Sequence, residues 1–289
     1  MSFLWNIVVT SLFFSILATS LNMLCGFVGL FSIAHAAFFG IGAYTSAILL
    51  THYGYPFEIS LLAGIILSGI FGFVIGIPTL RLKGDYLLIA TLGFGQIIQS
   101  ILNNWSSITG GPSGITKIPA PNIGGVAFDS DLSYVVLLVC ILAIAVTMAW
   151  NLKHSPLGLV LRGIAEDEIL ISSLGRNPYS YKVALFALSS AFAGGCGALY
   201  ASYMTYISPG NFLLSDSILI LAIVIFGGLG SISGPVIGAF VLVLLPESLR
   251  FVGLPADVAA NSRQIIYGIL LIVIMRYRPN GLMGVSIIR

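Results

Sequence analysis

Charge is what this chain has least of. Only 8% of its 289 residues are Asp, Glu, Lys or Arg, against about 25% in soluble domains, so a water-exposed surface of ordinary polarity is excluded. With 58% hydrophobic residues, the chain reads as an integral membrane protein. No Lys or Arg precedes Arg81; the first apolar stretch therefore lacks the basic flank of a cleavable signal and reads as a retained helix. A net charge of +2 with dispersed basic residues excludes the cationic face that nucleic acid requires. The three cysteines, Cys25, Cys140 and Cys196, lie in apolar stretches and are odd in number, which argues against a disulfide framework; they read as buried thiols packing as small hydrophobes. The sequence has no G-x-x-x-x-G-K-[ST] loop, no H-E-x-x-H and no C-x-x-C. No ATP-binding loop, metal site or cofactor is therefore expected in this chain. Gly111-Pro112-Ser113-Gly114 matches the short G-x-S-G pattern of intramembrane proteases, but nothing in the sequence places a base beside Ser113.

What the chain has in abundance is long apolar runs. Segments can be marked at about 3–24, 30–50, 58–80, 86–103, 132–150, 183–204, 216–229, 234–246 and 263–277, most near the roughly 20 residues a helix needs to cross a bilayer. The run LLAGIILSGIFGFVIGI shows none of the two-residue alternation of a membrane β-barrel strand. The expected fold is thus all-α, a polytopic helical bundle of about eight to ten spans in one membrane domain over residues 1–289. Glycine-rich stretches around Gly26 to Gly42 and Phe226 to Gly238, and the short segments at 216 and 234, are candidates for broken or re-entrant helices. Such breaks persist only where protein or a watery cavity covers the freed backbone groups. Gly64, Ser68, Gly72 and Gly76 repeat every four residues, as do Ala187, Ala191 and Gly195, the spacing by which membrane helices pack closely.

The remaining charge is clustered. Arg81 with Lys83, the segment from Asn151 to Lys182, and the tail with Arg276, Arg278 and Arg289 are expected to face the cytoplasm by the positive-inside rule. The C-terminus would then be cytoplasmic, and nine crossings would put the N-terminus outside. The Gly- and Pro-rich stretch from Asn104 to Asp131 reads as an irregular external loop. The longest polar interruption holds Lys153, His154, Arg162, Glu166-Asp167-Glu168, Arg176 and Lys182. Within it, Ser155-Pro156 opens a helix, GLVLRGIAEDEILISSLG follows, and Arg176-Asn177-Pro178 closes it. The apolar residues between these charges, among them Leu159, Leu161, Ile164, Ile169, Leu170, Ile171 and Leu174, make this an amphipathic helical hairpin. Such a helix lies on lipid or docks in a partner's groove, and the acidic corner favours the protein.

Inside the spans, ionisable groups are nearly missing, which excludes an ion-coupling pair and points to a solute neutral overall. His35 is the main exception, and a local hydrogen bond to Ser32 or a backbone carbonyl would satisfy it without a pathway role. Gln96, Gln99 and Asn103 fall on one helix stripe; they suit either weak bonds to a polar solute or helix-to-helix adhesion. Asp216 with Ser215 begins a helix and reads as an N-terminal cap.

The stretches GLFSIAHAAFFGIGAYTSAILL, LRLKGDYLLIATLGFGQII, NNWSSITGGPSGI, SPLGLVLRGIAEDEILISSLGRNPYSYKVALFALSSAFAGGCGALYA, FGGLGSISGPVIGA and RPNGLMG closely resemble, in order, LivM-type permeases of ATP-binding-cassette importers for branched-chain amino acids. The resemblance implies a multi-pass protein of a prokaryotic cell (inner) membrane and no enzyme activity in the chain itself. It further implies a homologous LivH-type permease, two cytoplasmic ATPase subunits and an external solute-binding protein. The family's ATPase-contacting loop falls on Gly163, Glu166, Asp167, Glu168 and Gly175, and the translocation path is expected near His35, Gln96, Gln99 and Asn103. A permease for urea, short amides or sugar, or a passive channel for a small neutral solute, would share the neutral interior.

Overall fold

The computed structural model describes residues 2–250 apart from Lys83, Gly125 and Asp129, together with 268, 269, 272, 276, 277 and 281–284. Along them run α1 (Ser2–Val28), α2 (His35–Thr51), α3 (Phe57–Thr79), α4 (Asp85–Asn104), the single-turn α5 (Ser106–Thr109), α6 (Asp131–His154), α7 (Pro156–Glu166), α8 (Glu168–Ser173), α9 (Pro178–Met204), α10 (Leu214–Gly227) and α11 (Gly234–Arg250). Strand among the described residues is confined to two antiparallel pairs, Ile115–Thr116 with Tyr206–Ile207 and Asn122–Ile123 with Val126–Ala127. The protein is a polytopic helical membrane protein. Six helical segments among the described residues are long and apolar enough to cross a bilayer: Leu4–Val28, Phe57–Thr79, Asp85–Asn104, Asp131–His154, Pro178–Met204 and Pro209–Gly227. His35–Thr51 and Gly234–Leu245 are apolar but shorter. The segment marked at 263–277 lies largely outside the described residues, as do Lys83, Arg278 and Arg289.

The core is built on α9, which packs chiefly on α2 and α3. The small residues explain how closely. Gly64, Ser68, Gly72 and Gly76 are all buried, and a methyl group on Gly194 would overlap Ser68 Oγ and the Gly64 carbonyl. A methyl on Gly42 would likewise strike the backbone of Gly194. The second stripe also meets α3, with Ala191 against Gly69 and Gly195 against Ile65. In lipid, where there is no hydrophobic drive between helices, such backbone-to-backbone approach supplies the dispersion energy of association. Aromatic rings of Phe38, Phe94 and Phe186 fill the space below. Cys25 and Cys196 are buried as expected, but Cys140 is exposed, because α6 turns most of its surface away from the rest of the chain.

Both suspected breaks are real. Between α1 and α2 the chain leaves the helix for Gly29 to Ala34, and the 17 residues of α2 rise only about 25 Å, less than the hydrocarbon thickness. Hydroxyls take up the freed amides: Ile33 N donates to Thr91 Oγ1 at 3.2 Å, Ala34 N to Ser32 Oγ at 3.3 Å and Ala36 N to Ser217 Oγ at 2.9 Å. The second break is the turn between α10 and α11. Its backbone is held by Asn22 of α1, whose Oδ1 accepts from Gly230 N at 3.0 Å and whose Nδ2 donates to the Ser231 carbonyl at 2.6 Å. Leu282 and Met283 add backbone bonds to Phe226 and Gly227 at 2.9 Å each.

The connecting segments lie at the two ends of the helices. One end holds the turn at Arg81, the segment from α7 to α8, the α10–α11 turn and residues 281–284. The other holds the stretch from α5 to Ser130, whose Gly124 N donates to Glu58 Oε1 at 2.8 Å. As the composition implied, that stretch is irregular, and its described residues contain no span.

Candidate functional site

The segment between α6 and α9 is a compact two-helix handle. Ser155 caps α7, its Oγ accepting from Gly158 N at 3.2 Å, with Pro156 in the first turn, where a missing N–H costs nothing. Asp167 ends α7 and caps α8, its Oδ1 accepting from Ile169 N at 2.8 Å and Leu170 N at 3.2 Å. Gly175, at φ +77°, turns the chain toward α9 in a conformation that costs a Cβ-bearing residue roughly 1–2 kcal/mol. Asn177 then caps α9. Gly163 lets α7 and α8 close, since a methyl there would press on the Ile171 side chain.

The handle's apolar residues divide into two sets. Leu161, Ile164 and Ile171 are buried, whereas Leu159, Ile169 and Leu174 are 69%, 76% and 69% exposed. The exposed set lies on the two helices and the turn after them, and Glu166, at the end of α7, is exposed as well. Glu168 is instead engaged with Lys182, which ties α8 to α9. Of the residues expected to contact an ATPase, Gly163, Asp167, Glu168 and Gly175 thus also shape the hairpin, and Glu166 is the exposed acid that makes no such internal bond among the described residues. Lys182 is 6% exposed and Glu168 37%. Glu168→Gln therefore orphans a buried ammonium whose pair is partly screened by water, and should cost about 1–2 kcal/mol, less than the sealed-pair value. Thermal unfolding in detergent should show the loss, and Lys182→Met in the same chain should restore stability; an unchanged Tm in Glu168→Gln would contradict this role for the pair.

A second polar contact, which the sequence reading missed, joins the handle to the α10–α11 turn. Lys153, in the last turn of α6, donates from Nζ to the Gly230 carbonyl at 2.6 Å, and Arg162 of α7 donates to the Lys153 carbonyl at 3.2 Å. The sequence signals were Asn22, one of two amides in the uncharged α1, and the glycines of the turn.

His35 is 2% exposed and its Nε2 lies 2.7 Å from Ser20 Oγ of α1. Of the partners expected for it, Ser32 or a backbone carbonyl, the Ser32 hydroxyl is not the one it meets. Ser32 Oγ is occupied by Ala34 N, and the helix break turns the His35 ring toward α1. On α4, Gln96 is exposed, while Gln99 and Asn103 are half-buried; Asn103 Nδ2 donates to the Gln99 carbonyl at 3.0 Å. The three amides border the buried Phe94, Ile98 and Leu102 stripe and make no side-chain bond to another helix among the described residues. His35 and this amide stripe share no hydrogen bond among the described residues. Asp216 caps as expected, Oδ2 accepting from Leu213 N at 2.9 Å. Ser113 sits exposed on a loop turn, while His35 bonds Ser20 and His154 the Trp150 carbonyl; no serine–histidine dyad forms there among the described residues. Nor is there a cluster of metal-ligating side chains among them.

A family described as the permease component of branched-chain amino acid transport systems matches residues 3–275. The chain belongs to this family. It is 36% identical to the high-affinity branched-chain amino acid transport system permease protein LivM of Salmonella typhimurium over 97% of this permease and 70% of that protein. It is 35% identical to LivM of Escherichia coli over the same shares. The LivH permease of Salmonella typhimurium is 24% identical over 94% of this chain and 91% of its own. No solved structure matches. This permease is a transport protein.

Proposed function

We propose that the permease is the LivM-type half of a permease pair in an ATP-binding-cassette importer for branched-chain amino acids. In this reading residues 1–289 form one membrane domain in a prokaryotic cell membrane, with the handle and the C-terminus in the cytoplasm. An external binding protein delivers the solute, a LivH-type partner completes the path, and two ATPases drive the switch. The handle is the observation that carries the reading. The hairpin exposes both apolar residues, Leu159, Ile169 and Leu174, and an acid, Glu166, and a protein groove takes apolar anchors and an acid together where a lipid surface would not.

Mechanistically, ATPase closure would push the handle as a rigid body. Lys153 and Arg162 would pass that displacement to the α10–α11 turn, and Asn22 to α1. The bundle needs only weak contacts with its solute, because tight binding would slow release; half-buried amides at Gln99 and Asn103, with Gln96 beside them, and the His35–Ser20 pair at the break are suited to that. Affinity purification tests the docking surface. The intact chain should bring down ATPase subunits from its own membrane, and Glu166→Arg should reduce their recovery at least tenfold, as expected when a charge is reversed in an interface. Full recovery with the variant would remove the handle's acidic corner from the interface.

A further inference from the structure

A cavity of about 310 Å³ opens between α1, α9, α10 and α11, on neither of the features assigned to the path above. Its volume lies at the lower bound of small-molecule sites, roughly 300–1,000 Å³. Phe13, Leu17 and Ile220 supply apolar wall, while Tyr200, Asn211 and Asp216 bring polar atoms to it.

Asp216 is more than a cap. Oδ2 accepts from Leu213 N at 2.9 Å, but among the described residues the second carboxylate oxygen has no partner and no Lys or Arg lines the cavity. Asp216 stands in the first turn of α10, and capping alone needs only one neutral acceptor. Beside it, Asn211 Oδ1 is occupied by Ser208 N and Oγ at 2.9 and 2.8 Å. Asn211 Nδ2 donates to the Tyr200 hydroxyl at 3.4 Å, which leaves the Tyr200 O–H free to donate. The cavity thus offers an anionic acceptor, a hydroxyl donor and an aliphatic or aromatic wall.

We infer that this cavity is a solute subsite within the single chain, in which Asp216 receives the ammonium group of an aliphatic α-amino acid, Tyr200 donates to its carboxylate and Phe13, Leu17 and Ile220 enclose its side chain. The inference rests on the branched-chain amino acid reading and deepens it, because the permease itself, and not its binding protein alone, would then select for a free amine.

The assembled importer in liposomes provides the test, with Cys140→Ser to remove the exposed native thiol and Thr10→Cys as a reporter in the cavity wall. L-leucine should protect the reporter from a thiol reagent, and 4-methylpentanoate, which has the same side chain and no amine, should not. Asp216→Asn keeps a capping oxygen but loses the charge; it should raise the protecting leucine concentration about tenfold or more, the worth of a charge-assisted bond, with Tyr200→Phe raising it less. Equal protection by both compounds, an unchanged Asp216→Asn, or no protection while leucine uptake proceeds would each overturn the subsite and leave the importer reading standing. Absence of both uptake and protection would remove the branched-chain reading and the subsite with it. If Asp216→Asn does not fold, the comparison of the two compounds on the parent chain decides.

Discussion

Lys153→Met should abolish most solute uptake, by tenfold or more, while ATP hydrolysis continues. Lys153 stands two residues before the cap of α7, its backbone carbonyl held by Arg162 and its ammonium on Gly230. It is therefore the covalent end of the handle and the polar hold on the α10–α11 turn at once. Methionine keeps the apolar stem and removes the donor, leaving the Gly230 carbonyl without it. A charged hydrogen bond of this kind is worth about 1.5–3 kcal/mol, enough to shift a two-state turn by tenfold to a hundredfold. The ratio of leucine imported to ATP hydrolysed is the quantity to measure. Asn22→Ala should lower the same ratio, since Asn22 holds the turn from α1 through Gly230 and Ser231. An unchanged ratio in Lys153→Met would mean that the handle's motion reaches the bundle by another route.

Gly194→Leu should prevent assembly of the bundle. Even the first carbon of a side chain at this position would overlap Ser68 Oγ and the Gly64 carbonyl, and the obstruction on the second of these is backbone, which cannot turn aside. Overpacking typically costs about 1–3 kcal/mol where side chains can move, so about 3 kcal/mol or more is expected here. Gly93→Ala on α4 is the control, because a methyl there meets nothing within 4 Å, and should leave stability unchanged or slightly raised by helix propensity. Thermal unfolding of detergent-solubilised protein separates the two. A Gly194→Leu variant with parental Tm would show that α3 and α9 are free to separate without loss.

The helices and their breaks were legible because each is written locally. Twenty-residue apolar runs, Pro156 and Pro178 after capping residues, and clusters of glycine at 26–42 and 226–238 all act on their own neighbourhood. The hairpin of the handle was readable for the same reason. What sequence could not supply was pairing across the bundle. His35 looked able to bond Ser32, three residues away, but the helix break rotates it to Ser20; Lys153 and Gly230 meet across 77 positions. Cys140, in a run as apolar as those around Cys25 and Cys196, is exposed because hydrophobicity in a membrane chain does not distinguish a face turned to lipid or a partner from one turned to the core. Asp216 was read correctly as a cap, yet its free oxygen became visible only with the cavity around it.

The most direct test of the account is leucine uptake into liposomes, comparing this permease alone with the permease assembled with a LivH-type partner, ATPases and binding protein. Uptake should require the full assembly and hydrolysable ATP, and should be lost with Glu166→Arg. Leucine flux through the permease alone, without ATP and unaffected by that variant, would contradict the account and establish a passive channel.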